Sequence, residues 1–275
     1  MTETLEPARA AELVVAVWQP DGPLLDVPAG LAALDAAAAD AAGRGARLLV
    51  CPELTLTGYD IAPQAATLAE PAGGPMARSV ADVARRHGLA IAWSWPERDG
   101  ADVHIAAELV DRDGTVLARH RKTHLYGPDE AGAYVPGDGT PAVGVVDGYR
   151  VGLLVCYDVE FPEQVRLVAL AGADLLACPT ALMAPYDAVA RLLVPARAFE
   201  NQMAVAYANR AGREHDLAYT GLSCVVGPDG ADLNRADDRP GLVVATLTAQ
   251  ALDEARRANT HLADRRPDVY GGLTR

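Results

Sequence analysis

The chain has 275 residues, half of them hydrophobic, and a formal net charge of -13. That size and apolar content predict a single domain spanning residues 1–275 with one sizeable core, while the acidity argues against nucleic acid, whose phosphates it would repel. The opening residues MTETLEPARAAE contain no cationic stretch followed by an apolar one, and no run approaches the roughly 18 apolar residues of a membrane span, so a cytoplasmic protein with no membrane partner is expected.

In chain order, residues 13–18 read as a buried strand, 29–42 as a helix stopped by Gly43, and 46–51 as a second strand, together a βαβ unit. Residues 75–87 predict another helix, closed by Gly88 and followed by a strand over 89–95. Asp113-Gly114 then separates strand-like runs at 103–110 and 115–119, a hairpin signal because tight turns need positive φ. Lys122 falls just beyond it. A Gly- and Pro-rich loop is expected over 127–141, then strand runs at 143–146 and 150–155. The remainder predicts a helix from Pro162 to about Ala171, a strand over 174–178, a helix over 188–200 kinked by Pro195, and strands at 204–208, 222–226 and 242–247. The last twenty residues read as an irregular tail that packs on a neighbour or a partner subunit.

An internal echo runs through this pattern. Gly45-Ala46-Arg47-Leu48-Leu49-Val50-Cys51-Pro52 matches Gly172-Ala173-Asp174-Leu175-Leu176-Ala177-Cys178-Pro179 at six of eight places, and Tyr59-Asp60 recurs as Tyr186-Asp187 at the same offset of 127 residues. Two similar halves facing each other follow, with the loops after the two Cys-Pro strands opening into one cleft. The four cysteines, Cys51, Cys156, Cys178 and Cys224, lie far apart in apolar contexts without CxxC spacing, which fits reduced thiols better than disulfides or zinc. His120 and His124 stand four apart with no evident third ligand, so neither metal nor cofactor is expected. Trp93, Trp95 and Tyr126 read as packing residues.

Cys156 is the most informative residue. It ends the apolar run Val151-Gly152-Leu153-Leu154-Val155, and the next helix starts near Pro162, which leaves the thiol at the carboxyl end of a sheet, where open α/β folds build their sites. Glu53 sits at the end of the first repeated strand and Lys122 beyond the hairpin. A thiol, a carboxylate able to take its proton and an ammonium able to stabilise negative charge together suit acyl transfer.

Three segments resemble the signature regions of the nitrilase, or carbon-nitrogen hydrolase, superfamily: Pro52-Glu53 with Gly58-Tyr59, Arg121-Lys122-Thr123-His124-Leu125, and Cys156-Tyr157-Asp158 with Phe161-Pro162-Glu163. The resemblance continues through residues 196–202, 221–230 and 265–270. It implies a four-layer αββα sandwich with pseudo-twofold halves, associating through its helix layer into homodimers or larger homo-oligomers. By the same resemblance Glu53 is the general base, Lys122 stabilises the tetrahedral intermediate together with the Tyr157 backbone N–H, and Cys156 forms a thioester with release of ammonia. Glu130, seven residues before Gly137, matches a second, substrate-positioning glutamate of many family amidases. Lys122 should lower the thiol's pKa.

Relatives acting on acid-bearing amides have arginine two or three residues beyond the Cys-Tyr-Asp segment, where this chain has Glu160. A carboxylate there, with Asp187 or Asp60 nearby, attracts an ammonium, although Glu160 would equally serve to cap the following helix. Tyr59, Tyr157, Glu160 and Asp187 are therefore the candidate substrate-binding residues. The Cys-Tyr-Asp-Val-Glu-Phe-Pro-Glu segment, with Pro185-Tyr186-Asp187 and Tyr207-Ala208-Asn209, looks most like amidases of the 5-aminopentanamide type, implying a small aliphatic ω-amino amide as substrate. An N-carbamoyl-amine hydrolase would use the same residues, and a catalytically idle binding or scaffold member is the reading from a different class.

Overall fold

Along the first strand, β1 (Glu12–Gln19), Leu13, Val15 and Val17 point to one side and Ala16 and Trp18 to the other, and all five are buried. Alternate side chains can be buried on both faces only if something packs on each, which places the strand inside a layered α/β fold. In the computed structural model, which describes residues 9–22 and 24–274, one face meets helices and the other a second sheet.

Helix α1 (Val27–Gly43) begins where the Asp26 carboxylate accepts from the Ala29 N–H at 3.0 Å, and it leads into β2 (Leu48–Val50). After the short α2 (Ala65–Leu68), α3 (Pro75–His87) stops on Gly88 at φ 66°, a left-handed position glycine takes without strain. Strands β3 (Ala90–Asp99), β4 (Asp102–Val110) and β5 (Val116–Arg121) complete the first half. Helix α4 (Gly127–Ala133) leads to β6 (Ala142–Val146), β7 (Tyr149–Leu153), α5 (Pro162–Leu170), β8 (Leu175–Pro179), α6 (Val194–Asn201) and β9 (Ala204–Ala208). A small hairpin of β10 (Arg213–Glu214) and β11 (Leu217–Ala218) precedes β12 (Cys224–Val226) and β13 (Asp232–Arg235), and β14 (Gly241–Thr248) with α7 (Ala249–Ala258) closes the fold.

The two six-stranded sheets are ordered β14-β1-β2-β3-β4-β5 and β6-β7-β8-β9-β12-β13. Read in those orders, both run antiparallel, parallel, parallel, antiparallel, antiparallel. The Cys-Pro strands β2 and β8 hold equivalent central places, so the sequence echo marks a pseudo-twofold. One apolar cluster lies between the sheets, a second beneath α1 and α3, and a third beneath α5 and α6, which makes the four-layer αββα sandwich. The loops after β2 and β8 meet directly, the Glu53 N–H donating to the Thr180 carbonyl at 3.2 Å.

Several local expectations change. The segment expected as a loop over 127–141 contains α4, too short and too glycine-rich to show periodicity; its first turn is held by the Glu130 carboxylate accepting from the Tyr126 N–H at 2.8 Å. The helical run expected over 188–200 is present but changes form just before Pro195: a π turn (Val189–Leu193) passes directly into α6, and Pro195 sits in the first turn of α6. The tail begins later than expected because α7 precedes it, buried through Leu252 alone, and the tail exposes Val269 and Leu273. Among the described residues no helix is long and apolar enough to cross a membrane.

Candidate active site

After β7 the chain enters a tight 3-10 turn, Cys156–Glu160, whose first residue has φ 46°. A non-glycine residue in that region costs about 1–3 kcal/mol and persists only where its surroundings enforce it. Here Asp158 enforces it. Its buried carboxylate accepts from the N–H groups of Thr123 and His124 at 3.1 and 2.8 Å and from Val155 at 3.3 Å, and both oxygens also meet histidines, Nε2 of His120 and Nδ1 of His124, each at 3.0 Å. Burial works to raise the Asp158 pKa, but these contacts outweigh it and hold the carboxyl well below its ordinary range. The nucleophile turn is thereby tied to the segment that carries Lys122. His120 and His124, four apart in the sequence, are both used on this carboxylate.

Lys122 follows β5 and is completely buried. Its Nζ donates to Glu53 Oε1 at 2.8 Å and to Glu130 Oε1 at 2.7 Å, and the Tyr59 hydroxyl donates to the same Glu130 oxygen at 2.7 Å. Glu53 is wholly buried, and its second oxygen, Oε2, has no hydrogen-bond partner in place.

Burial raises the Glu53 pKa to about 7, against the pull of Lys122 and with a push from Glu130. Burial lowers that of Lys122, but the two carboxylates more than reverse it, so the ammonium is fixed as a cation. The Cys156 thiol is pushed well above its ordinary value, by burial first and the Glu53 charge second; Lys122 opposes both and loses. Lys122 pulls the thiol down as expected but is outweighed, so the resting group is a thiol, and a base must remove its proton as it attacks. Cys156 is also the one cysteine of the four that is only partly buried, the other three being fully enclosed. Burial pushes the thiols of Cys178 and Cys224 up to about 12.

The thiol opens into a cavity of about 210 Å³ lined by Tyr59, Tyr126, Tyr157, Glu160, Met183 and Tyr186, with Ala181 and Leu182. Tyr59 and Tyr186, the pair related by the 127-residue offset, approach it from opposite halves. Glu160 is half-buried, and among the described residues no hydrogen bond or ion pair engages its carboxylate; α5 has no side-chain cap, so the capping role is not realised. Its main-chain carbonyl is held by Arg197 Nη2 at 2.9 Å. Asp187 is corrected: it does not line the cavity but pairs with Arg191 one helical turn on, at 3.3 Å, half exposed. Asp60 pairs with His215 at 2.8 Å and lines a neighbouring cavity. Tyr126, read as packing, lines both cavities, whereas Trp93 and Trp95 are buried and stacked at 4.8 Å. Met183 and Tyr186 lie on an irregular loop after β8 that carries no periodicity; the echo and the family resemblance of Pro185-Tyr186-Asp187 pointed to Tyr186, and nothing pointed to Met183.

A partly open thiol, a buried carboxylate of raised pKa and a fixed ammonium, gathered at strand ends of an αββα sandwich, have the form of a cysteine-based hydrolase. The chain belongs to the carbon-nitrogen hydrolase family, whose pattern matches residues 14–257. It is 42% identical over 264 residues, 95% of this chain and 92% of the other, to a "hydrolase in pqqF 5'region" from Pseudomonas protegens. To an (R)-stereoselective amidase from Pseudomonas sp. it is 36% identical over 228 residues, 82% of each chain. Among solved structures, a mutant amidase from Nesterenkonia sp. AN1, showing Michael addition of acrylamide at its active-site cysteine, superposes with a TM-score of 0.87 at 40% identity over 95% of this chain and 99% of that one.

Proposed function

We propose that the protein is an amidase that hydrolyses a small aliphatic carboxamide bearing an amine at its far end. The observation that carries the reading is that Glu53 and Lys122, hydrogen-bonded to each other, stand behind a Cys156 thiol that opens into a small cavity, and that this cavity is also lined by Glu160, whose carboxylate has no hydrogen-bond or ion-pair partner among the described residues. As the Cys156 sulfur attacks the amide carbon, Glu53 takes the thiol proton, and the carbonyl oxygen gathers negative charge beside the Lys122 ammonium and the Tyr157 N–H. The C–N bond breaks as Glu53 returns that proton to nitrogen, releasing ammonia and leaving a thioester. Water then attacks the thioester, Glu53 accepting its proton; the C–S bond breaks, giving the carboxylic acid, which loses its proton to solvent as the carboxylate, and, with Glu53's proton returned to sulfur, the thiol. Glu130 and Tyr59 hold Lys122 on the correct side throughout. The amidase relatives and the cysteine adduct of the Nesterenkonia enzyme support the reaction class. The aromatic walls with a lone carboxylate support the substrate: apolar methylenes lie along the tyrosines and Met183, and the ammonium meets Glu160.

The test is ammonia release from a panel of 5-aminopentanamide, pentanamide, glutaramate, N-carbamoylputrescine and pentanenitrile, with Cys156→Ala as the blank. Preferential turnover of 5-aminopentanamide supports the reading. Glutaramate as the best substrate defeats the role of Glu160, and silence across the panel defeats the amidase. We also propose that the protein assembles as a homodimer or larger homo-oligomer, a second copy covering the apolar side chains exposed on α5, α6 and the tail, Leu167, Leu170, Phe199 and Leu273 among them.

A further inference from the structure

Arg210, two residues past β9, is 2% exposed, yet it lines neither the thiol's cavity nor the neighbouring one. Burying a guanidinium is costly unless its donors are used; here Nε has no hydrogen-bond partner in place and the two terminal nitrogens carry the contacts. Its Nη2 donates to two main-chain carbonyls, those of Glu53 at 3.0 Å and Leu54 at 2.8 Å, and its Nη1 lies 3.3 Å from Glu214 Oε1. The other oxygen of that buried carboxylate, Oε2, accepts from the N–H groups of Tyr59 and Asp60, at 2.8 and 2.9 Å, and from the Tyr219 hydroxyl at 2.8 Å. Between these two anchorages the chain turns through Leu54 at φ 48° and Gly58 at φ 82°. A Cβ at Gly58 would strike the Leu24 side chain and crowd the Glu214 carboxylate, so the loop is seated directly on the ion pair. Residues 53–60, which carry both the Glu53 carboxylate and the Tyr59 hydroxyl, therefore hang on a charged pair supplied by the opposite half of the molecule. An ion pair that only filled space would be replaceable by apolar side chains; this one directs four of its contacts to the backbone of a single loop.

We infer that Arg210 and Glu214 are positioning residues for the hydrolysis. They act through the backbone of Glu53 and Tyr59, fixing where the carboxylate stands relative to the thiol. The inference rests on Glu53 being the base. Neither residue touches the cavity around Cys156, so their loss acts on turnover rather than on substrate binding. Lysine cannot replace the arginine, because one ammonium cannot span two carbonyls and a carboxylate in the guanidinium's fork geometry.

The experiment compares kcat and KM for pentanamide in Arg210→Lys, Arg210→Ala and Tyr219→Phe, each normalised to sites counted by iodoacetamide alkylation of Cys156. Arg210→Lys is expected to lower kcat per site by about 100-fold, the cost of displacing a reacting group by about 1 Å. KM should change by less than about twofold, the signature of an interaction that matters only in the transition state. Millimolar guanidinium should restore part of the kcat of Arg210→Ala, and ammonium should not. Tyr219→Phe, which removes one hydroxyl and keeps the fold's charges, should lower kcat several-fold with the same split and decides the matter if the arginine variants do not fold. Unchanged kcat per alkylated site with only a lower melting temperature, or a raised KM at unchanged kcat, overturns the inference. Glu53→Gln separates the two levels: if that variant retains full turnover, the reading of the base fails; if it is inactive while Arg210→Lys and Tyr219→Phe match the wild type, only the positioning role fails.

Discussion

Replacing Glu160 by glutamine removes one charge from the cavity and changes its shape hardly at all. An ammonium about 4 Å from that carboxylate gains about 4 kcal/mol at an effective dielectric near 20. Glu160 is partly buried with the rest of its surface facing water, and both ions give up hydration on meeting, so about 1–2 kcal/mol of that survives. At 1.36 kcal/mol per tenfold, Glu160→Gln should lower kcat/KM for 5-aminopentanamide by about 5- to 30-fold. Pentanamide, which has nothing to place against the carboxylate, should keep its kcat/KM. The assay is steady-state ammonia release for both substrates at two ionic strengths, and raising salt should shrink the wild-type preference and leave the variant's ratio where it is. Burial raises the Glu160 pKa, with Arg197 and Lys122 pulling it back, so the preference should also fade on acidification earlier than for an exposed glutamate. Equal losses for both substrates would refute the reasoning, because they would mean that Glu160 shapes the nucleophile turn and does not read the substrate's charge.

Glu53 must be ionised to take the thiol proton, so kcat/KM should fall on the acid side with a midpoint near pH 7; Glu130→Gln removes a charge that raises this pKa, and its pH–rate profile should show the limb moved to lower pH. Asp158→Asn should cost about 3 kcal/mol in urea unfolding, since two histidines and three N–H groups lose their charged acceptor. The carboxyl's folded pKa is depressed, so its contribution is complete above the unfolded value of 3.8 and lost as pH falls through the folded one. The gap between wild type and variant should therefore be full at pH 5 and close only below about 4. Light scattering should give a mass of two or more chains, and Leu170→Glu, on the exposed face of α5, should reduce it to that of one; a wild type already running as one chain would refute the assembly.

By itself the sequence determined where the reactive groups stand along the chain and what kind of sandwich holds them. Strands buried on both faces, the repeated Cys-Pro ends and the glycine stops at Gly88 and Gly114 are local patterns, and backbone geometry and side-chain periodicity turn them into elements with little help from distant contacts. Glu53, Lys122 and Cys156 were legible because each sits within three residues of a strand's end. What the groups do to one another was not. The thiol stays protonated because burial and the Glu53 charge overcome Lys122, a balance among side chains 34 to 103 positions apart that only packing sets. Asp187 left the site for Arg191, while Tyr126 and Met183 entered it, because an irregular loop has no period from which a side chain's direction can be read. The role of Asp158 as the peg of the nucleophile turn and the hold of Arg210 on the base loop were equally invisible, since a buried ion acquires its meaning from partners that the fold, and not the neighbouring sequence, brings within 3 Å.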